Sequence, residues 1–238
     1  MDSGFCVSAS ADRTIRKWDA STCECLQTME GHTGTVNKVI ITTEFIFSSS
    51  YDKTARCWDL DTGKCLRIFA SHTKSILPMI FLPGFVPTAD DMQMFPSDAS
   101  QFVQDENRDI LFTGSADCSI KAFNAFSGDL VKTYYGHTGA ITCMTIDVDT
   151  KQLISGSTDR TIRSWSIVHA APLRTFEGHV GSIISLSVAT KVIYSGSSDG
   201  TCRSWALDVG ECTRLMTGHK SGVTCMKYRD GLGKYLAT

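Results

Sequence analysis

A short pattern recurs five times along the chain, and this recurrence constrains the fold more than any other feature. The copies read SASADRTIRKWD, SSSYDKTARCWD, TGSADCSIKAFN, SGSTDRTIRSWS and SGSSDGTCRSWA. Their aromatic residues, separated by 40, 65, 42 and 40 positions, are Trp18, Trp58, Phe123, Trp165 and Trp205. A histidine marker keeps the same steps, at His32, His72, His137, His179 and His219. Two markers in phase indicate one structural unit of about 40 residues, with about 25 extra residues in one copy.

Each unit has the local pattern of short β-strands. Alternating runs such as TVNKVII, AITCMTI and GVTCMKY follow the histidines, and turn residues separate further apolar runs. Strands at this spacing are typical of antiparallel all-β folds. Four strands fit into each unit, which is the size of one blade of a β-propeller.

With its Gly-His and Trp-Asp markers, the sequence resembles the WD-repeat family. The resemblance covers nearly the whole chain apart from the extra segment, and it implies a WD-repeat β-propeller that acts as a rigid interaction platform. We therefore expect one domain over residues 1–238. Its repeats, of which the first and last are partial, span residues 1–30, 31–70, 71–135, 136–177, 178–217 and 218–238.

The strand count predicts about five blades of four antiparallel strands. Because the sequence opens and closes inside a repeat and most similar propellers have seven blades, we expect an incomplete piece of a seven-bladed ring. The alternative is a five-bladed ring in which a strand over residues 223–228 pairs beside residues 5–10. The insert, residues 83–107, holds five acidic residues and no Lys or Arg, and we expect it to be a disordered acidic loop.

Polar residues also recur at fixed distances from each aromatic. A Ser or Thr lies ten positions before it and an Asp six positions before it in all five copies. The resemblance implies that Trp, Ser, His and Asp form a buried hydrogen-bonded tetrad, which would satisfy every polar group in it. The three complete tetrads are His32, Ser48, Asp52 and Trp58; His137, Ser155, Asp159 and Trp165; and His179, Ser195, Asp199 and Trp205.

A Ser-His-Asp hydrolase is the alternative interpretation of these residues. A trio that occurs several times in one chain, without a GxSxG motif, favours the structural role instead. We therefore predict no enzyme activity and no cofactor. The third repeat has Phe123 in place of Trp and Ser71 in place of Gly, and we predict that it is the least stable blade.

The resemblance places the histidine loop and the Asp turn on one face, called the top face. We predict partner-binding residues there at Asn37, Tyr51, Leu77, Thr158, Ile184 and Ser198. In each repeat, the positions considered are the residues three and five after the His and the residue directly before the Asp. None of them is Lys or Arg, which favours an uncharged or hydrophobic peptide over a phosphorylated one.

Composition excludes several other classes of protein. The formal net charge of −2 supplies no basic field for nucleic acid, and the longest apolar run is too short to span a membrane. Ten cysteines without a CxxC motif or a signal peptide indicate reduced, largely structural thiols in the cytoplasm or nucleus, and no metal site. We expect a scaffold that binds other proteins; the alternative is a substrate receptor or adaptor of a ubiquitin ligase.

Overall fold

The structure is a computed structural model, and it describes residues 4–84, 109–229 and 235–237. Every regular element in these ranges is a β-strand, as the alternating sequence predicts. The predicted acidic loop falls almost wholly outside the described residues. The described residues divide into two compact units, the first built from residues up to 84 with 109–117 and 121–131, and the second from 118–120 and the residues after 131.

Antiparallel sheets follow one another in chain order, with three, four, four, four, four and two strands in the described residues. The first sheet contains β1 (Phe5–Ala9), β2 (Ile15–Asp19) and β3 (Cys25–Met29). The second contains β4 (Val36–Ile41), β5 (Phe45–Ser50), β6 (Thr54–Asp59) and β7 (Cys65–Ala70). The third contains β8 (Ile76–Leu82), β9 (Ile110–Ser115), β10 (Ile120–Asn124) and β11 (Leu130–Tyr134).

The remaining sheets repeat this arrangement. The fourth contains β12 (Ile141–Asp147), β13 (Gln152–Ser157), β14 (Ile162–Ser166) and β15 (Pro172–Phe176). The fifth contains β16 (Ile183–Ala189), β17 (Val192–Ser197), β18 (Cys202–Ala206) and β19 (Cys212–Met216). The last pair is β20 (Lys227–Arg229) and β21 (Tyr235–Ala237), so β20 begins four residues later than the predicted strand over 223–228.

Burial decreases from the second strand of each sheet to the fourth. In the fourth sheet, β13 is buried at every position except its first, whereas β15 is exposed at every position except Phe176. Phe176 packs in a core cluster with Ile154, Ile183 and Trp205, which joins the fourth sheet to the fifth within the second unit. The sequence thus places its large apolar residues where neighbouring sheets pack face to face.

The Asp turn between the second and third strands has one conformation in all five repeats. The residue after the Asp has a positive φ in each copy: Arg13 at 76°, Lys53 at 71°, Cys118 at 69°, Arg160 at 72° and Gly200 at 78°. Four of these are not glycine, although glycine adopts this region with least strain. The turn therefore holds non-glycine side chains in a defined backbone geometry, and Arg13, Lys53 and Arg160 are exposed there.

Candidate functional site

Hydrogen bonds connect all twelve residues of the three expected tetrads. In the second sheet, the Trp58 indole donates to Ser48 Oγ at 2.8 Å, and Ser48 Oγ lies 2.7 Å from His32 Nε2. His32 Nδ1 in turn lies 2.7 Å from Asp52 Oδ2. The networks built on His137 and His179 reproduce these bonds at 2.7–2.8 Å. Because the serine oxygen accepts from the indole, its own proton donates to Nε2, and Nδ1–H donates to the carboxylate.

These networks fix the backbone as well as the side chains. The N–H of Thr33 donates to Asp52 Oδ2 at 3.0 Å, and the N–H of Thr54 donates to Oδ1 at 2.9 Å. The carboxylate of Asp52 therefore joins the Gly-His loop to the Asp turn. We call the end of each sheet that carries this loop and this turn the histidine end; it corresponds to the expected top face.

The histidines of the networks are buried. Burial lowers the pKa of His32, His72 and His179, and the hydrogen bond from each to its Asp opposes this shift only in part. Burial would raise the pKa of Asp52, but hydrogen bonds from Thr54, His32 and Thr33 outweigh it and lower the pKa to about 2. In the networks of His32 and His179, the lowered pKa of the histidine and the lowered pKa of its Asp both favour a neutral imidazole held by an ionised carboxylate.

The geometry argues against nucleophilic catalysis at these serines. Ser48, Ser155 and Ser195 are 0% exposed, so a substrate could not reach their oxygens without local unfolding. Each oxygen also accepts an indole N–H, which lowers its electron density where a nucleophile needs it. The arrangement satisfies buried polar groups and rigidifies the histidine end.

The third sheet forms the same network without an indole. His72 lies 2.8 Å from Asp117 Oδ2 and 2.9 Å from Thr113 Oγ1. Phe123 occupies the tryptophan position and packs edge-on against Phe69, with 5.5 Å between ring centroids. Thr113 Oγ1 therefore lacks the indole donor, and it lies 3.4 Å from the carbonyl oxygen of Lys121.

The predicted partner-binding residues fall into two structural groups. Tyr51, Thr158 and Ser198 lie in the Asp turns, directly before the Asp, and all three are exposed; Tyr51 is 53% exposed. Asn37, Leu77 and Ile184 lie in β-bulges at the start of the first strand of their sheets. Leu77 and Ile184 are half-buried, so each offers part of its side chain to solvent.

Asn37 already has a partner inside the protein. Its side-chain amide donates to the carbonyl oxygen of Ile76, in the first strand of the next sheet, at 2.6 Å. Thr142 occupies the same bulge position in the fourth sheet, and its hydroxyl likewise donates to the carbonyl of Ile183 in the fifth. This polar position connects neighbouring sheets, a use that the sequence spacing alone did not indicate.

Basic residues at the histidine end escaped the sequence analysis. Arg13, Lys53 and Arg160 follow the turn Asp, and Lys74 follows the His72 loop by two positions; all four are exposed. The predicted contact positions lie three and five residues after each His and directly before each Asp, whereas these basic residues lie directly after the Asp or two residues after the His. A basic residue directly after the Asp in three of five copies was the available signal.

Comparison with known proteins identifies the repeat. The model of the family described as "WD domain, G-beta repeat" matches residues 23–59, 128–166 and 170–206. The chain contains repeats of the WD-repeat family. Together with the successive four-stranded antiparallel sheets, this confirms the expected all-β WD-repeat propeller fold.

Individual relatives of this WD-repeat protein match short segments. Eukaryotic translation initiation factor 3 subunit I of Xenopus tropicalis is 36% identical over 56 residues, which cover 24% of this chain and 17% of the relative. Mitogen-activated protein kinase kinase kinase A of Dictyostelium discoideum is 52% identical over 31 residues, which cover 13% of this chain and 3% of that protein.

One solved structure matches almost the full length. The computationally designed Ika8 protein superposes with a TM-score of 0.78 at 26% sequence identity. The match covers 97% of this chain and 64% of the designed chain. The curated relatives thus match a fraction of their length, whereas the fold similarity extends over nearly all of this WD-repeat protein.

The ten cysteines of this WD-repeat protein are all free thiols. Burial raises the pKa of Cys57 to about 11, and it also raises the pKa of Cys202, which lies in a core cluster with Val223 and Met226. Within the described ranges, no group of three or more His, Cys, Asp or Glu side chains could hold a metal ion. The described residues also include no helix long and apolar enough to cross a membrane.

Proposed function

We propose that this WD-repeat protein is a non-catalytic scaffold that presents its histidine ends to peptide segments of partner proteins. One observation carries the proposal. The recurring His, Ser and Asp residues are enclosed in hydrogen-bonded networks, whereas the residue directly before the turn Asp is left exposed, above all Tyr51. The recurring His, Ser and Asp side chains thus have a structural role, and the exposed turn side chains form a surface suited to protein interaction.

The networks hold the backbone of the exposed turn residues in place, which favours their contact with a partner protein. Asp52 holds both the His loop and its own turn, so the backbone of Tyr51 is ordered before any partner arrives. The Tyr51 N–H also donates to the carbonyl of Thr35 at 2.9 Å. An aromatic side chain on a rigid backbone loses little entropy on binding, which is why tyrosine is frequent at interface hot spots.

The similarity to a translation initiation factor subunit supports participation in a protein assembly. It spans too little of that relative to carry its process or its partners to this chain. The ubiquitin-ligase alternative has no observation in its favour and stays a prediction. The proposal assigns no nucleic acid, membrane or small-molecule partner. It places the scaffold in the cytoplasm or nucleus, which the ten free thiols favour.

Photo-crosslinking from two matched positions tests the proposal. A photoreactive phenylalanine analogue would replace Tyr51 in one chain and Phe126 in another, and both chains would be irradiated in cells. Phe126 is 56% exposed and lies in the turn after β10, at the opposite end of its sheet. We expect discrete protein adducts from position 51 that are absent from position 126. Equal adducts from both positions, or none from position 51, would contradict the proposal.

A further inference from the structure

Two lysines flank the exposed Tyr51. Lys53 is two residues further along the same turn, and Lys74 directly precedes Ser75, whose hydroxyl donates to the Tyr51 carbonyl at 3.4 Å. All of these residues belong to the first compact unit. We call this surface, made of Tyr51, Lys53, Lys74 and Ser75, the Tyr51 patch.

Backbone hydrogen bonds hold both sides of the patch in place. The carbonyl of Lys74 accepts from the Ser115 hydroxyl at 3.1 Å, and the carbonyl of Ser75 accepts from the Ala116 N–H at 2.9 Å. The backbone of Tyr51 is tied to Thr35 on its other side. The two lysines therefore project from fixed backbone positions, and only their side chains are free to adjust.

The lysines of the patch have no acidic partner among the residues that the structure describes. Neither Lys53 nor Lys74 makes a side-chain hydrogen bond or ion pair with any described residue. The nearest carboxylate in sequence, Asp52, is engaged by His32 and by backbone N–H groups. In the first unit, the exposed acids Asp12 and Glu30 also lie at this end, and both are in other loops.

Charge is distributed unevenly between the two ends of these sheets. The turns at the opposite end are acidic and include the exposed residues Asp61 and Glu24. The whole chain is close to neutral, with a formal charge of −2. At the histidine end of the first unit, the exposed Lys53 and Lys74 belong to the Tyr51 patch, and the exposed Arg13 lies in the Asp turn of the first sheet.

Lys53 has the backbone conformation that this turn position has in all five repeats. Its φ of 71° is a region that favours glycine, and Gly200 occupies the equivalent turn position in the fifth sheet with a φ of 78°. A lysine there costs conformational energy that a glycine would avoid. The strained position supplies a positive charge beside an exposed aromatic ring.

We propose that the Tyr51 patch binds an extended acidic peptide. The Tyr51 ring packs on an apolar side chain of the peptide, and Lys53 and Lys74 contact carboxylates on either side of it. This inference rests on the proposed scaffold function and names its partner class. It replaces the expectation of an uncharged peptide, which rested on the residues three and five positions after each His and directly before each Asp.

The same patch fits nucleic acid less well. Strong binding to a phosphate backbone uses many cations along a continuous track, and single-stranded binding adds several stacking rings. The patch has two lysines and one ring, enough for a short peptide segment. A single-stranded RNA is therefore a comparison probe in the experiment below.

Fluorescence anisotropy of the full chain tests the proposal. The probe is a short labelled peptide that alternates glutamate with leucine, and the matched probes replace every glutamate by glutamine or by lysine. We expect the glutamate peptide to bind at least tenfold more tightly than the glutamine peptide at low salt. Binding should weaken as salt is raised, because exposed charges are screened.

Matched variants locate the binding site. Lys53→Gln and Lys74→Gln should each weaken the glutamate peptide by about two- to fivefold, the range for one exposed ion pair. Tyr51→Ala should weaken it on the order of tenfold, as for an aromatic hot spot. The control is Lys64→Gln, an exposed lysine of the same repeat at the opposite end of the sheet, which should leave binding unchanged.

Several results would overturn the proposal. These are equal binding of the three peptides, an equal loss in Lys64→Gln and Lys53→Gln, or tighter binding of a single-stranded RNA than of the glutamate peptide. If a cellular partner depends on Tyr51 but ignores both lysine variants and salt, the acidic specificity fails while the scaffold function stands. If adducts at position 51 are also absent, both fail.

Discussion

The ammonium nitrogen of Lys121 lies 2.7 Å from the hydroxyl oxygen of Ser71 and 2.7 Å from its carbonyl oxygen. The three repeats with complete tetrads have a glycine at the position of Ser71 and an arginine at the position of Lys121. A Cβ added to that glycine would lie 2.6, 2.8 or 2.9 Å from a guanidinium nitrogen, at Gly31, Gly136 and Gly178 respectively. A side chain at that glycine would therefore displace the arginine head group, whereas Lys121 bonds to the serine that replaces the glycine.

This pairing predicts strong coupling between the two positions. Lys121→Arg should lower the free energy of unfolding by about 1–3 kcal/mol, because the larger head group meets the Ser71 side chain. Ser71→Gly alone should lower it by about 1 kcal/mol through the lost hydrogen bond. The double variant should be more stable than the sum of the single changes predicts. Urea denaturation of all four chains measures the cycle, and strict additivity would contradict it.

The tetrad hydroxyl should matter more where an indole depends on it. Ser155→Ala leaves both the Trp165 N–H and His137 Nε2 without their partner, whereas Thr113→Val removes no indole bond. Each buried group left unsatisfied costs about 1–3 kcal/mol, so we expect Ser155→Ala to be the more damaging change by about that amount. Urea midpoints compare the two variants, and a larger loss in Thr113→Val would contradict the account.

Folding stability should fall as the solution is acidified below neutrality. The folded state lowers the pKa of His32, His72 and His179, so the unfolded chain binds more protons once pH drops below about 6.5. Each such histidine can add a slope of about 1.4 kcal/mol per pH unit. Asp52 acts in the same direction, and its contribution is lost between pH 3.8 and about 2.

Thermal unfolding between pH 8 and pH 4 measures this dependence. We expect the midpoint to be flat above pH 7 and to decline steadily below pH 6.5. A midpoint that rises on acidification would mean that the folded state binds the extra protons, which contradicts neutral buried histidines.

Asn37 should prove to be a structural residue. Because its amide donates to the Ile76 carbonyl at 2.6 Å, Asn37→Ala should lower the free energy of unfolding by about 1 kcal/mol. It should leave the binding of the glutamate peptide unchanged. The control is Thr158→Ala, which removes an exposed side chain with no such bond and should be neutral for stability. If Asn37→Ala lost peptide binding without losing stability, this prediction would be wrong and Asn37 would be a partner-binding residue.

Much of the fold could be predicted because the residues that recur in each repeat have the same structural role in every copy. The spacing of Ser48, Asp52 and Trp58 is set by the hairpin, since strands β5 and β6 place Ser48 across from Arg56 and bring the indole to the hydroxyl. Every copy that keeps this spacing forms the same bonds. The number of strands in each sheet follows from the same periodicity.

The use of individual surface positions could not be predicted in the same way. Asn37 and Leu77 occupy one position of the repeat, yet Asn37 bonds to a neighbouring sheet and Leu77 is half-buried. The compensation between Ser71 and Lys121 joins residues 50 positions apart, and the 25-residue insert hides their common register. Such pairings depend on the distances between loops, and these distances cannot be derived from the residue types alone.

The most direct test of the account is the amount of each protein that co-purifies from cells with the wild-type chain, with Tyr51→Ala and with Phe126→Ala. Tyr51→Ala should leave the unfolding midpoint unchanged because the side chain is more than half exposed, and Phe126→Ala should lower it only slightly, since Arg67 lies 4.9 Å from the exposed Phe126 ring. The account predicts a stoichiometric partner that Tyr51→Ala loses and Phe126→Ala retains. A partner retained by Tyr51→Ala and lost by Phe126→Ala would contradict it, because binding would then lie at the opposite end of the sheets.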